Sequence, residues 1–286
     1  MLLKSKLDKG EFAILAEMEP PKGTDVSEMV SNARKIKEKV DAFIVPEMSN
    51  AVMRMSALGG AMILQEKGME TVMQVCCRDR NRLALQADLL AAGACGIKNI
   101  MAVTGEDPGT GDHHQARPVH DIDLLELLKA ITGLRNGLDM AGINLKGAPD
   151  FVTGSRVNAG SSSPELEIED MNKKIEAGAE FFITPPVFDL SGIEAFLRRA
   201  DKEKTKIIPT VLLLKSVGMA RYIDRNLENV HIPRTLISRI QKSGDKVREC
   251  VRIAGETVSD LKKQGFGGVM ISTIGWEHKL PEILKD

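Results

Sequence analysis

The sequence predicts an α/β fold of the (β/α)8 TIM-barrel class, one catalytic-size domain over residues 1–286, and three observations carry that prediction. Eight short apolar runs with strand character recur along the chain, and each but the last is followed by a segment with helical spacing. Strands that recur with intervening helices must run parallel, because each crossover returns the chain to the same edge. Polar and chain-breaking residues gather after the strands rather than before them, as expected where eight loops converge on one mouth. Loops are also where a barrel without function keeps its polar residues, so this asymmetry alone assigns no site. An open doubly wound sheet of this length should carry a glycine-rich dinucleotide turn after its first strand, and Pro20-Pro21 stands there instead.

The first strand is 12–16 (F-A-I-L-A). Glu17 and Glu19 follow it, and Pro20-Pro21 stops it by fixing φ and removing two N–H donors. Residues two apart on a strand share a face, so the two carboxylates point the same way if the strand runs that far. An acid at the carboxyl end of a parallel strand lies where α/β barrels keep their chemistry. The plainer alternative is a solvated Glu beside a turn. Residues 25–39 have near-helical apolar spacing, with Thr24 or Asp25 as N-cap. Strand 40–45 ends at Pro46-Glu47, and helix 51–67 closes on Gly68. Strand 71–76 precedes helix 79–94; strand 98–103 runs into a long Gly/Pro/Asp/His loop, 104–118, before helix 121–132. In the second half, strand 151–157 ends in a small-residue loop, 158–163, and helix 164–177 is closed by Gly178. Strand 181–184 is cut off by Pro185-Pro186. Helix 191–200, strand 207–213, helix 217–226, a short helix after Pro233, helix 245–264, strand 267–272 and a terminal helical turn, 280–284, complete the pattern.

Composition narrows the function. With 43% hydrophobic and 28% charged residues and a formal net charge of -1, nothing attracts nucleic acid or anionic lipid in general. No apolar stretch approaches a membrane span and the N-terminus lacks a signal-type apolar core, so a cytoplasmic protein is expected. Cys76, Cys77, Cys95 and Cys250 form no C-x-x-C pair and read as reduced structural thiols, with a reactive Cys77 as the alternative. The five histidines make no H-x-x-x-H pair, and no metal site is expected. Aromatic residues are only 3%, with one Trp and one Tyr, so a bound aromatic cofactor would find few rings to stack on.

Among the loops, 104–108 (T-G-E-D-P) is the most distinctive. Gly105 would let backbone approach a ligand closely, and the acids could hydrogen-bond a polar ring or ribose; a turn with an Asx-type cap is the alternative. The R-D-R-N-R run at 78–82 either grips phosphate at a helix N-terminus or caps and solvates that helix.

Taken together, eight segments carry a resemblance. They are A-E-M-E-P-P-K-G at 16–23, M-R-M-S-A-L at 53–58, C-R-D-R-N-R-L-A-L-Q at 77–86, A-V-T-G-E-D-P at 102–108, R-P-V-H-D-I-D at 117–123, E-A-G-A-E-F-F at 176–182, V-H-I-P at 230–233 and I-G-W-E at 274–277. Over essentially its whole length the chain resembles the methylenetetrahydrofolate reductase family, the flavin-dependent (β/α)8 barrels of one-carbon metabolism. The likeness is to the short bacterial or archaeal form, without the extension that binds S-adenosylmethionine. It implies reduction of 5,10-methylenetetrahydrofolate to 5-methyltetrahydrofolate. Glu17 matches the family's E-x-x-P-P acid, which assists opening of the folate's imidazolidine ring, and Glu106 matches the acid after the fourth strand, near flavin and pterin. Gln74, Thr104, Gly105, His120, Asn158, Ala159, Glu167, Asp170 and Lys174 fall at or near flavin-contact positions. Glu19, Thr184, Pro185 and Val217 fall on the substrate side. The implied cofactor is a flavin, FAD ahead of FMN.

The chain also departs from the family. Relatives carry Thr-Gln after the sixth strand, where the amide helps bind the pterin; here Thr184 is followed by Pro185-Pro186. An aromatic and a His after the fifth strand are replaced by Ala159 and Ser163, and Pro46-Glu47 replaces a polar flavin contact. A pocket with so few rings would hold flavin differently or prefer FMN. Its grip on a nicotinamide looks poor, so electrons are expected to come from a partner iron–sulfur or zinc-bearing subunit, with direct supply by NADH or NADPH as the alternative. Such a chain would be a homo- or hetero-oligomer. A barrel that has lost catalysis and serves as a scaffold subunit is the third reading, against which Glu17 and Glu106 stand.

Overall fold

The computed structural model describes residues 2–200 and 206–285. Its elements are α1 (Leu2–Lys9), β1 (Ala13–Glu17), α2 (Ser27–Ile36), β2 (Ala42–Val45), α3 (Ala57–Glu66), β3 (Thr71–Cys76), α4 (Arg82–Ala94), β4 (Asn99–Val103) and α5 (Leu124–Arg135). They continue with β5 (Val152–Arg156), α6 (Pro164–Glu176), β6 (Phe181–Pro186), α7 (Glu194–Leu197), β7 (Lys206–Leu212), α8 (Val217–Asn226), α9 (Arg234–Lys242), α10 (Lys246–Lys263), β8 (Gly268–Ser272) and α11 (Leu280–Ile283). The eight strands close in sequence order, every pair parallel, with β8 returning to β1. The predicted (β/α)8 barrel is the observed fold.

Alternation along the strands sorts the core into two. Leu15, Ile44, Val72, Met101, Phe181, Ile208 and Met270 point inward and fill the barrel, while the intervening residues pack outward under the helices. The interior is filled tightly. Gly154 lies in register with Phe181, and a Cβ there would come within 2.2 Å of the ring, so the glycine makes room for the phenylalanine. The amino-terminal end of the barrel is closed by α1, which the sequence reading missed. Its Leu3 and Leu7, one turn apart, join the interior cluster, Leu3 N–H donates to Glu70 Oε1 at 3.2 Å, and Lys6 pairs with Asp41 at 2.8 Å. Three leucines in a lysine-rich octet are too faint a period to see without the barrel that Leu3 and Leu7 plug.

Strand 71–76 and helix 217–226 coincide with expectation, and other boundaries move for local reasons. Helix α3 begins at Ala57 rather than 51, because Ser56 caps it by accepting from Gly59 N–H at 3.2 Å. Residues 48, 50 and 51 before it are left-handed, with φ of 46°, 55° and 54°. Helix α2 starts after Val26 without a side-chain cap; Asp25 instead accepts from Ser27 N–H, two residues on. Helix α4 is capped by Asn81 and α5 by a reciprocal Asp123/Glu126 capping box, each about three residues later than expected. Residues 190–197 form a 3₁₀ turn followed by a single α-turn rather than one helix.

The sixth strand corrects a larger expectation. Pro185-Pro186 does not end it: β6 runs through Pro186, which pairs with Thr210 after a register shift from Ile183. Threonines supply the hydrogen bonds that the prolines cannot. Thr210 Oγ1 donates to Thr184 O at 2.5 Å, and Thr184 Oγ1 accepts from Thr210 N–H at 3.3 Å. Among the described residues no helix is long and apolar enough to cross a membrane.

Candidate active site

All eight strands are parallel, so the loops after β1, β4 and β5 open on the same rim, and Glu17, Glu106 and the 158–163 loop lie there together. Glu17 is the last residue of β1 and has the inward parity of Ala13 and Leu15. Beside it, β8 pairs Ala16 with Ile271, which brings Ser272 alongside. Ser272 is buried, and its hydroxyl donates to Glu17 Oε1 at 2.7 Å. Burial at the mouth pushes the Glu17 carboxyl up to about 7; the Ser272 hydrogen bond and the Arg156 charge oppose this, while Glu19 and Glu277 reinforce it. The result is a carboxylic acid that holds its proton near neutrality.

Glu19 lies beyond the strand, and Met18 N–H already turns to Ile44 O at 2.8 Å. Its carboxylate pairs with Arg54 Nε at 2.9 Å; burial raises its pKa and Arg54 opposes the rise. Lys215 follows β7 and sits 5.1 Å from the Trp276 ring centroid, where it donates to Ile274 O. Burial lowers the Lys215 pKa against the pull of Glu277 and Glu19. Glu277 in turn accepts from Gly275 N–H at 3.0 Å.

Glu106 stands between two guanidinium groups, Arg156 at 3.7 Å and Arg78 at 3.8 Å. The loop that carries it depends on Gly105, whose φ of +92° excludes most side chains. A Cβ there would fall 2.2 Å from Cys76 Sγ, so the close approach made by this glycine is to its own neighbouring strand. Arg78 Nη1 donates to Glu106 O at 3.2 Å and Nε pairs with Asp79 at 2.7 Å, so this arginine braces the loop.

Next to Glu106 a cavity of about 280 Å³ is lined by Gln74, Thr104, Gly105, Arg156 and Lys174, with Glu47 and Ser49 at its edge. Through Thr104, Leu124 and Lys174 it continues into an open groove of about 500 Å³ that reaches His120, Asp123 and Asp170. Seven of the residues expected around a cofactor or its charge are thus gathered: Gln74, Thr104, Gly105, Glu106, His120, Asp170 and Lys174. Three are not among the lining residues. Ala159 packs into the core, Glu167 Oε1 on the first turn of α6 accepts from Asn158 N–H at 2.6 Å, and Asn158 Oδ1 is buried without a hydrogen bond. Of the substrate-side residues, Thr184 turns to the β6–β7 ladder and Val217 packs on the core at the start of α8.

Most of the polar groups around the cavity are already partnered. Gln74 Oε1 is occupied by Glu47 N–H at 3.3 Å, which leaves its amide NH₂ with only Met101 sulfur at 3.8 Å. Lys174 is held by Asp170 at 2.5 Å and by Arg156 O at 2.9 Å. The buried carboxylate of Glu47 is itself neutralised by Arg80 at 3.0 Å and by Ala57 N–H at 2.8 Å. Burial pushes the Cys76 thiol up to about 11 and the Cys77 thiol to about 12, so neither is a nucleophile at neutral pH and the alternative of a reactive Cys77 falls. Among the described residues no group of three or more His, Cys, Asp and Glu side chains is arranged to hold a metal ion. A larger groove of about 620 Å³ along α2 offers only Val, Ser, Arg and Lys side chains, without an acid.

Sequence reasoning did not single out Ser272, Arg156, Lys215 or Glu277 as site residues. The available signal was parity: Arg156 and Ser272 are polar residues at inward positions on the last turn of their strands.

Solved structures confirm the architecture at low identity. EDTA monooxygenase from Chelativorans sp. BNC1 matches with a TM-score of 0.56 and 10% identity, covering 96% of this chain and 92% of that one. A 2,3-dimethylmalate lyase of the PEP mutase/isocitrate lyase superfamily matches with a TM-score of 0.54 and 11% identity, covering 94% and 76%. These show the fold alone. Methylenetetrahydrofolate reductase 2 of Schizosaccharomyces pombe is 22% identical over 304 residues, and the match takes in 99% of this chain and 46% of that longer protein. The family model described as methylenetetrahydrofolate reductase matches residues 2–286, and on that match the chain belongs to the methylenetetrahydrofolate reductase family.

Proposed function

We propose that this chain is a flavin-dependent reductase that converts 5,10-methylenetetrahydrofolate to 5-methyltetrahydrofolate. The observation that carries the reading is a carboxyl group, Glu17, buried at the barrel mouth and raised to about 7, on the same rim as the cavity lined by Glu106 and Gln74. Opening the imidazolidine ring requires protonation of the amine that leaves, because an unprotonated amine is a poor leaving group. Glu17 gives its proton to that nitrogen, the carbon–nitrogen bond breaks, and the methylene carbon is left as an iminium cation on the other nitrogen. Glu106, facing the cavity between Arg78 and Arg156, supplies negative charge near the developing cation. Gln74, Thr104 and Lys174 would hold the flavin ring, and the groove past Leu124 to His120 and Asp170 gives room beyond the ring, which supports FAD. When bound, the flavin supplies the hydride that turns the iminium carbon into a methyl group.

One observation favours a partner protein as electron source. No Phe, Tyr or Trp lines either cavity, so a nicotinamide has no ring of this chain to stack on there. A cytoplasmic location fits this reading.

The test is Glu17→Gln in flavin-loaded protein. The variant is expected to fold, bind flavin and accept electrons normally, and to lose methylene reduction by roughly 10²–10⁴-fold. Turnover within a few-fold of wild type would remove Glu17 as the proton donor and leave Glu19 as the next acid to test. Identification of the flavin released on denaturation separates FAD from FMN.

A further inference from the structure

We infer that Ser272 is the positioning residue of the site: its hydroxyl pins Glu17 Oε1, so that Oε2 is the oxygen that carries and delivers the proton. The inference rests on the reading of Glu17 as a proton donor and adds which oxygen acts and what holds it.

The geometry that supports it comes from barrel closure. The β1–β8 register runs through Ala13–Gly268, Ile14–Val269, Leu15–Met270 and Ala16–Ile271, so Glu17 and Ser272 follow as inward-facing neighbours. Both backbones are fixed at that point. Leu213 N–H donates to Ser272 O at 2.9 Å, and β1 is tied on its other side by the Glu17–Ile44 register and by Met18 N–H to Ile44 O. Serine has one χ angle, so a buried hydroxyl on a fixed backbone has little freedom to move away. The 2.7 Å contact is the only hydrogen bond to the Glu17 carboxyl among the described residues.

A hydroxyl donor suits both protonation states. It donates to the carboxylate, and more weakly to the carbonyl oxygen of the neutral acid, provided the proton sits on Oε2. The acid therefore need not rotate between proton uptake and release. Ser272 is the feature that makes the two oxygens of Glu17 inequivalent. Arg54 does the same for the neighbouring Glu19 by an ion pair, which opposes the rise that burial gives its pKa.

The experiment follows the Glu17 carboxyl directly. Protein labelled with ¹³C at the glutamate side-chain carboxyl is titrated by NMR, with the Glu17 signal assigned by its loss in Glu17→Gln. In Ser272→Ala the carboxylate loses its donor, and the midpoint should rise by about one pH unit. Ser272→Thr keeps the hydroxyl and should bring it back. The fall of kcat/KM on the alkaline side should move with the midpoint, and kcat should drop more than KM changes. If the alanine variant does not fold, Ser272→Cys, a weak donor of similar size, is read in the same way. A midpoint that stays put in Ser272→Ala or Ser272→Cys, or that Ser272→Thr fails to restore, overturns the inference. A shifted midpoint in a chain whose wild type reduces no methylene compound supports the pinning and removes the reductase reading alone.

Discussion

The acid at the mouth should cost the protein stability at neutral pH, and the size and sign of that cost can be worked out. Burial moves the Glu17 carboxyl from an ordinary 4.5 to about 7. Between those values the folded chain holds a proton that the unfolded chain has released. Stability therefore falls as pH rises through this window and levels off above it. A displacement of about 2.5 units at 1.36 kcal/mol per unit gives a loss on the order of 3 kcal/mol. Glu17→Gln keeps the shape and can still accept from Ser272 Oγ, but has no charge to bury. Urea unfolding of both proteins from pH 4.5 to 8.5 tests the linkage. The two should be nearly equal at the acid end, and the variant should be more stable by on the order of 3 kcal/mol at pH 8. Because every other titrating group is shared, the difference curve isolates Glu17. A gap that is constant with pH, or absent at pH 8, would refute the argument from burial.

Two further outcomes follow from the loop after β4 and from the cavity walls. Gly105→Ala combines a left-handed backbone with a Cβ 2.2 Å from Cys76 Sγ, so it should lose more than about 2 kcal/mol in urea and release flavin; a variant unchanged in both would show that the loop does not need the glycine. Anaerobic mixing of flavin-loaded chain with NADH or NADPH should bleach the flavin slowly, and rapid, saturable bleaching by either would remove the need for a partner donor.

The barrel was legible because its signal is repeated. Each strand–helix unit states the same alternation of periods, and eight statements outweigh an error of three to six residues at any one end. Those errors have a common form: helices α3, α4 and α5 begin where Ser56, Asn81 and Asp123 cap them, inside segments whose apolar spacing already looks helical. Glu17 was legible because an acid between a strand and Pro-Pro is a local feature. Ser272 was not, because its contact with Glu17 exists only once the last strand pairs with the first, 255 residues away in sequence. Arg156 is a similar case: a charged residue at the end of a strand reads as solvated until closure turns it toward Glu17 and Glu106.

The sixth strand shows how unevenly polar side chains are spread around the mouth. In this chain β6 ends in two prolines, and the one polar side chain before them, Thr184, is engaged by Thr210. That sector of the rim can offer a ring little more than a carbonyl and an apolar surface. The neighbouring sectors are rich by comparison. Arg156 closes β5, Lys215 follows β7, Ser272 and Glu277 come with β8, and Glu17 and Glu19 with β1. A polar ring entering the barrel therefore meets donors and acceptors along the β7–β8–β1 arc and at the end of β5. With two prolines closing β6, the polar side chains of the rim lie on the β7–β8–β1 side, where Glu17 and Ser272 stand.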